Sequence, residues 1–505
     1  MNNQIASYPI IILLSIIVLL TSCSNDDDRG VLSNQKQITA FVFTSTNNPD
    51  LKMDITAIID QDNKTISASV PFNTDITVLK PAISISADAS VDPQTDKVQD
   101  FSNAVLYTVT AQDNSQQEYK AEVIVEEVKL TDRDVLVEFF EANPSNTLGW
   151  DVNDPTMDSW GGVTHDKGKV TALYLSSSKI TSIPSSFGKL KNLKRLVILR
   201  NELTSLPTEI GNLEKLTTLS LVSTKLTDIP KDLSDLTNLE ELSLLNNRLT
   251  SIPKEIGNLG NLEILRIGND GLTSFPDEIG KLVNLKTLSL KGENITIIPA
   301  TINNLTKLTD LYLILSNLTS FPVELQNLTN LTHLGLNCKL ISFPAGIDTL
   351  VNLSFLSITG INLSSFPTEI GMLSNLTTLS MSNNNLSSYP AEIDALSNLT
   401  TLNIKYNDLT TVPTEIGSFT NLQMLSLSGN ELVSVPVEIG NLTNLTSLDM
   451  EENKLAAIPK EIGNLIQLEN LYLENNNLSA IPQEVCDLKT NHNTNIFIDN
   501  EVSCM

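Results

Sequence analysis

From about residue 171 onward the chain repeats one short pattern of apolar and polar positions. In Leu425-Ser426-Leu427-Ser428-Gly429-Asn430-Glu431-Leu432, two leucines alternate with small polar residues, the period-two signature of a strand with one buried face. Leu432, Val435, Ile439, Leu442 and Leu445 supply the apolar groups of a returning segment, with Pro436 fixing a turn and Gly440-Asn441 placed to let the chain reverse. Prolines mark the phase. Pro184, Pro207, Pro230, Pro253, Pro276, Pro299 and Pro322 follow at intervals of 23, one step of 22 leads to Pro344, and the interval of 23 resumes through Pro367, Pro390, Pro413, Pro436, Pro459 and Pro482. A unit this short cannot bury its own apolar groups, so neighbouring units must stack. Their strands then form a parallel sheet, ~4.8 Å from one to the next.

One polar residue per unit is expected to point inward. Asn384, Asn407, Asn430, Asn453 and Asn476 form an unbroken series, and Asn201 and Asn247 conform earlier. Elsewhere the same phase holds Ser178, Thr224, Asp270, Glu293, Ser316 and Ile361. Ser, Thr and Asp partly substitute by hydrogen bonding and Ile does not, which predicts a less regular middle. The 22-residue unit, Leu334-Gly335-Leu336-Asn337-Cys338-Lys339-Leu340, lies in that region. It lacks one residue where the strand leaves the sheet, and a local change of curvature is expected there.

The unit Leu213 to Asp232, LEKLTTLSLVSTKLTDIPKD, resembles the 23-residue form of the leucine-rich repeat family, over roughly residues 170 to 488. The resemblance implies a repeat solenoid, a leucine-rich repeat horseshoe with its parallel β-sheet on the concave face. That face is the usual binding surface of the architecture.

Upstream the periodicity changes. Ile38–Phe43, Asp54–Ile59, Thr65–Val70, Ile83–Ile85, Val105–Thr110 and Tyr119–Val125 are short runs rich in β-branched residues, separated by Asn/Asp/Pro clusters. They predict an all-β sandwich. The segments VPFNTDITVLKPAISISADASVDP and QDFSNAVLYTVTAQDNSQQEYKAEVIV resemble an immunoglobulin-like module of Bacteroidetes surface lipoproteins, which implies a spacer role. Asp132 to Phe140 then carries amphipathic-helix spacing, with Thr131 or Asp132 as its cap. With Trp150, Trp160 and Val163-Thr164 it resembles the N-terminal cap of secreted leucine-rich repeat arrays. Both tryptophans are expected to cover the first repeat.

The first residues form a targeting segment. Pro9 to Leu20 is apolar but short for a membrane span, and reads as a signal h-region. Leu20-Thr21-Ser22-Cys23 resembles the lipobox of bacterial lipoproteins, which implies acylation of Cys23 and cleavage before it. No Lys or Arg precedes the h-region, a departure from the usual pattern. Ser24-Asn25-Asp26-Asp27-Asp28 resembles the export signal of Bacteroidetes surface lipoproteins, implying an outer-membrane, cell-surface location. The expected organisation is a signal peptide at 1–22, an acidic tether at 23–34, a sandwich at 35–128, a cap at 129–170, repeats at 171–484 and a C-terminal cap at 485–505.

Composition narrows the partners. The net charge is −27, which disfavours nucleic acid and anionic membranes, so membrane contact is expected through the lipid alone. Residues 24–172 hold 11 Lys/Arg against 25 Asp/Glu, a net of −14 on a solvated surface. Cys486 and Cys504 flank the end of the array, where a disulfide would close the last apolar layer; Cys338 is left as a single thiol inside a repeat.

No catalytic or metal constellation emerges. His165, His333 and His492 are spread over cap, repeats and tail, and no nucleophile elbow, phosphate loop or HExxH is present. Asn-Leu-Thr and Asn-Leu-Ser recur at Asn304, Asn330, Asn375, Asn398 and Asn444 as products of the repeat. The expectation is a non-enzymatic binding protein without metal or cofactor. Outward strand positions are mostly Ser and Thr, with two departures. Asp310, Tyr312, Ile314, His333 and Phe355 form one group; Arg195, Val197, Leu199 and Arg200 form another. Such groups suit an interface, and unselected variation on a tolerant surface accounts for them equally. Protein binding or adhesion through the concave face ranks first. Glycan capture for nutrient uptake is the alternative; it calls for rows of aromatics, and the sequence offers isolated ones. A structural envelope protein without a ligand is a further alternative.

Overall fold

The structure, a computed structural model, describes residues 32–126 except 73, and 130–505 except 270, 321–325, 341–345, 362–363, 365–367 and 390. The signal segment, Cys23, the acidic run and Asp270 lie outside the described residues. The chain divides into two compact units, Met1–Lys129 and Leu130–Met505.

The first unit is built of two small sheets in a sandwich-like arrangement. Ile38–Phe43 lies between Ile55–Thr56 and Pro81–Ile85, and a second sheet runs Ile58–Asp60, Thr65–Val70, Gln116–Val125, Val105–Thr110, Ser90–Asp92. The run Asp54–Ile59, expected as one strand, is two. Buried Ala57 separates Ile55–Thr56, paired with Ile38–Phe43, from Ile58–Asp60, paired with Thr65–Val70, so the chain switches sheets there. Phe41, Phe43, Tyr107 and Tyr119 fill the centre, with Phe41 edge-on to Tyr107 at 5.3 Å.

The second unit is a leucine-rich repeat solenoid. Its sixteen-stranded sheet begins with Val163–Asp166, antiparallel to Lys169–Ser176, and continues in parallel to Asn495–Phe497. One column of leucines holds the register, for example Leu288↔Leu311↔Leu334↔Leu356↔Leu379, and the 22-residue step leaves it intact. Described prolines such as Pro413, Pro436 and Pro459 precede five-residue 3-10 turns on the other side of the core. Pro482 opens an α-helix, Gln483–His492, in the place of such a turn.

Gly440 does not serve chain reversal, since its φ is not positive. It serves close approach. A Cβ there would stand 2.4 Å from the Glu461 carbonyl oxygen of the next turn. Gly440→Val should therefore push neighbouring repeats apart and cost about 1–3 kcal/mol. Gly260, with nothing within 4 Å of its Cβ direction, should accept alanine without loss in the same thermal-melt comparison.

The ends are closed by different means. Thr131 caps the helix Asp132–Glu141 in a capping box with Asp134, while Asp132 turns inward to accept the Val170 amide at 2.8 Å. Trp150 and Trp160 stack at 4.9 Å and are buried with Phe139 and Phe187 against the first repeat. Each indole N–H donates to a backbone carbonyl, Gly161 and Asp151, so neither ring is presented to a ligand. At the other end Cys486 and Cys504 are disulfide-bonded, 18 residues apart. Replacing both by serine should lower stability by about 3 kcal/mol, read as the difference in denaturation midpoint between oxidised wild type and variant.

Two asparagine rows hold the stack together. The inward row behaves as expected where asparagine occupies it: Asn201 Oδ1 accepts the Ser178 and Ile180 amides at 3.0 and 2.9 Å, and its Nδ2 donates to the Leu175 and Leu199 carbonyls. The second row is exposed. Asn238, Asn261, Asn284, Asn330, Asn375, Asn398 and Asn444 each donate Nδ2 to a backbone carbonyl 24 residues back. In several units the hydroxyl two residues later donates to the carbonyl 23 back, as Thr377 does to Ser354 and Thr400 to Thr377. Asn-Leu-Thr is thus a two-rung tie between neighbouring repeats.

The middle departs from the pattern in a specific way. Units with the inward asparagine place the preceding residue at positive φ, as at Arg200, Asn246, Asn383 and Glu452. Thr287–Lys291, Asp310–Leu315 and His333–Cys338 instead continue in strict alternation. The inward slot then falls one residue earlier, on Gly292 and Leu315, while Glu293 and Ser316 are exposed. Glu293 and Ser316 are therefore not rungs, contrary to their phase in the sequence. In the 22-residue unit Cys338 fills this same slot, as Gly292 and Leu315 do in the full-length units before it, with Sγ 3.6 Å from the Leu313 carbonyl. Burial pushes this thiol up to about 11 and keeps it neutral.

Candidate functional site

Because these strands run on, the central sheet is wider than the three-residue strands that follow from Thr378–Ser380. It presents three outward columns. The first is Asp310↔His333↔Phe355, the second Tyr312↔Gly335↔Ser357 and the third Ile314↔Asn337↔Thr359. All five central residues singled out in the sequence meet on this surface. A shallow depression of about 200 Å³ lies among them, lined by Tyr312, Ile314, Gly335, Asn337, Phe355, Ser357 and Thr359, with Leu313 and Leu336 at its floor.

Gly335 shapes it. The Tyr312 ring leans across this position, where a Cβ would stand 2.8 Å from Cδ1. Only glycine lets the ring lie over the sheet. Beside it His333 and Phe355 stack at 5.8 Å with 25° between planes. His333 Nδ1 faces the Thr332 hydroxyl at 2.9 Å and the Asp310 carboxylate at 3.4 Å; Thr309 donates its hydroxyl to the other Asp310 oxygen at 2.6 Å. Burial, with Asp310 nearby, holds the Tyr312 hydroxyl above its usual range, so it stays a hydrogen-bond donor. The surface combines three half-buried rings, a 41% exposed Ile314 and amide and hydroxyl groups from Asn337, Ser357 and Thr359. It suits a ligand with both apolar faces and hydroxyls.

Arg195 and Arg200 are not part of this surface. The Arg195 strand is five strands from that of Tyr312, ~24 Å along the sheet. A hydrogen bond to the Tyr174 hydroxyl, with further nearby negative groups, raises the Arg195 guanidinium. Val197 and Leu199 lie beside it, half-buried. A larger groove of about 600 Å³ is lined by Lys194, Lys215, Asn238, Glu240, Asn261, Glu263 and Asn284. Asn238, Asn261 and Asn284 there are rungs of the exposed asparagine row, with their amides already bonded. Among the described residues, no three His, Cys, Asp or Glu side chains could hold a metal, and no helix is long and apolar enough to cross a membrane.

The sequence reading missed other outward aromatics. Tyr406 leans over Gly429 with Lys405 above its ring, and Tyr472 stacks on Phe497. Tyr472 was legible from strand alternation. Phe497 was not, because its strand follows an inserted helix and falls out of the 23-residue phase.

This is a binding scaffold of stacked repeats rather than a catalytic domain. The chain belongs to the leucine-rich repeat family: the leucine-rich repeat region model matches residues 171–270, 242–345 and 342–454, and a further leucine-rich repeat model matches 467–488. Residues 31–123 match a family described as SGBP, N-terminal. A leucine-rich repeat protein of Leptospira interrogans is 37% identical, with 65% of this chain and 83% of that chain covered and a TM-score of 0.60. PEPR1 in complex with AtPEP1 is 29% identical over 74% of this chain and 55% of that chain, with a TM-score of 0.55. The functional domain of InlJ from Listeria monocytogenes, which includes a cysteine ladder, shares the fold at 21% identity, 61% and 68% coverage and a TM-score of 0.50. Comparison with curated proteins gave no match. Both matched families are non-catalytic scaffolds, and the chain is a non-enzymatic repeat protein with an SGBP-type N-terminal domain.

Proposed function

We propose that this chain is a surface glycan-capture protein, holding carbohydrate on the concave face of its repeats. The observation that carries the reading is the SGBP-type module at residues 31–123, a domain type of surface glycan-binding proteins. The central columns supply the chemistry. A sugar ring presents C–H groups on its faces and hydroxyls around its edge, and it stacks on an aromatic face while the edge bonds to amides and hydroxyls. Tyr312, His333 and Phe355 offer the faces; Asn337, Ser357 and Thr359 offer the polar partners. Protein binding ranked first on sequence because the aromatics looked isolated, and their convergence reverses that order. A protein reading keeps one favourable feature, the cationic and apolar group of Arg195, Val197, Leu199 and Arg200, which suits an acidic segment.

The test is a glycan array probed with the whole secreted chain, alongside a protein pull-down from cell lysate. Saturable retention by one carbohydrate class is expected. Retention of proteins alone, with no carbohydrate signal, would replace this reading.

Cys23 is the proposed lipid attachment point, which would place the protein on the outer face of the outer membrane, with the first sandwich-like unit as a spacer. Radiolabelled palmitate should enter the wild-type chain and be lost in Cys23→Ala; an unlabelled wild type would remove the anchor.

A further inference from the structure

We propose that Tyr472 and Phe497 form a second carbohydrate platform, and that the concave face holds a linear, uncharged polysaccharide across both platforms. This rests on the glycan reading above and adds a site, a ligand length and a ligand charge to it.

The two rings are nearly parallel, 5° apart, with centroids at 4.7 Å. They sit outward on the last two strands of the sheet, whose inward positions are Leu471, Leu473 and Ile496. The core therefore does not need them, and Phe497 is 39% exposed. Asn470 and Asn495 lie beside the pair, joined by an Nδ2 to Oδ1 hydrogen bond of 3.1 Å. Each ring covers one face of the other, and with the flanking amides the pair repeats the mix of aromatic and amide groups of the central surface.

Both platforms share one column. It runs Tyr312↔Gly335↔Ser357↔Ser380↔Asn403↔Ser426↔Asp449↔Tyr472↔Phe497. Between the aromatic ends every residue is small or polar, so nothing bulky interrupts the floor. Tyr312 and Tyr472 are seven strand steps apart, ~34 Å, and a sugar unit in a chain advances about one such step. A polymer of about eight units would touch both ends at once. Charge selects the polymer. Asp449 pairs with Tyr472 and Glu474 lies two residues beyond it; next to them burial, and then repulsion from Asp449, Glu452 and Glu474, raises the Glu451 carboxyl. Lys405 is the cation that opposes them there. Uronates and sulfated sugars are repelled, whereas neutral hydroxyls donate to these carboxylates.

Linked sites raise affinity only when a ligand spans both. Titration calorimetry of the whole chain with neutral cello-, xylo-, manno- and malto-oligosaccharide ladders reads this directly. Oligomers of about eight units or more should bind at least ~10-fold more tightly than those of two to four. Tyr472→Ala with Phe497→Ala should abolish that gain and leave short-oligomer binding at Tyr312. Tyr472→Phe with Phe497→Tyr keeps both rings and should keep the gain. A wild type with equal affinity for long and short oligomers overturns the proposal, as does an undiminished gain in the alanine variant. Salt-sensitive capture of a lysine-rich peptide in place of sugar would assign the acidic end to a protein and overturn it too. A wild type that binds no ladder and no array carbohydrate removes the parent reading; the other adverse results remove the second platform alone.

Discussion

Asn430→Leu is expected to destabilise the repeat unit by about 3–5 kcal/mol, far more than a change of similar volume at the same slot elsewhere. Asn430 is buried, and its Nδ2 donates to the carbonyls of Ile404, Leu427 and Ser428 at 3.1, 2.8 and 3.3 Å while Oδ1 accepts the Leu409 amide at 3.1 Å. Leucine fills the space and satisfies none of these groups. Each buried backbone group left without a partner costs about 1–3 kcal/mol. Because repeats contact only their neighbours, the damage should be local, visible as lost amide-exchange protection in the units carrying Leu409 and Leu427. Cys338→Ala tests the contrast. Its long Sγ contact to the Leu313 carbonyl and its continuous strand predict a loss of only about 1 kcal/mol.

The same contrast explains what was readable in the chain. The leucine register and the stacking of units follow from spacing alone, because a period of 23 leaves one way to align the apolar positions. The Thr131 cap was also local chemistry, a hydroxyl three residues before an acid. The rung assignments at Glu293 and Ser316 failed because the inward slot depends on whether the preceding residue turns to positive φ. Ser223 and Asn246 turn and Leu315 does not, a difference that the 23-residue phase does not register. Asn330 and Asn375 looked like by-products of the repeat, yet they are ties, since their bonds run to the preceding unit and no local pattern reveals them.

The candidate site was partly legible for a related reason. Tyr312, His333 and Phe355 stood out as large residues among Ser and Thr, in phase with the strand. The role of Gly335 was hidden, because its value lies in the ring that crosses it from the next strand. The long strand is shared by the full-length unit of Asp310–Leu315 and the shortened one of His333–Cys338, and it brings Ile314 and Asn337 into one outward column beside the rings.

Glycan capture on the central concave surface is the claim on which the rest depends. Tyr312→Ala combined with Phe355→Ala removes two ring faces without touching the leucine columns, so the thermal midpoint should stay near that of wild type. Affinity electrophoresis of the whole chain in gels containing the carbohydrate retained on the array measures the effect most directly. The account predicts at least a ~10-fold loss of affinity for short oligomers, since stacking anchors carry most of such binding energy. A folded double variant that migrates as wild type does would contradict it.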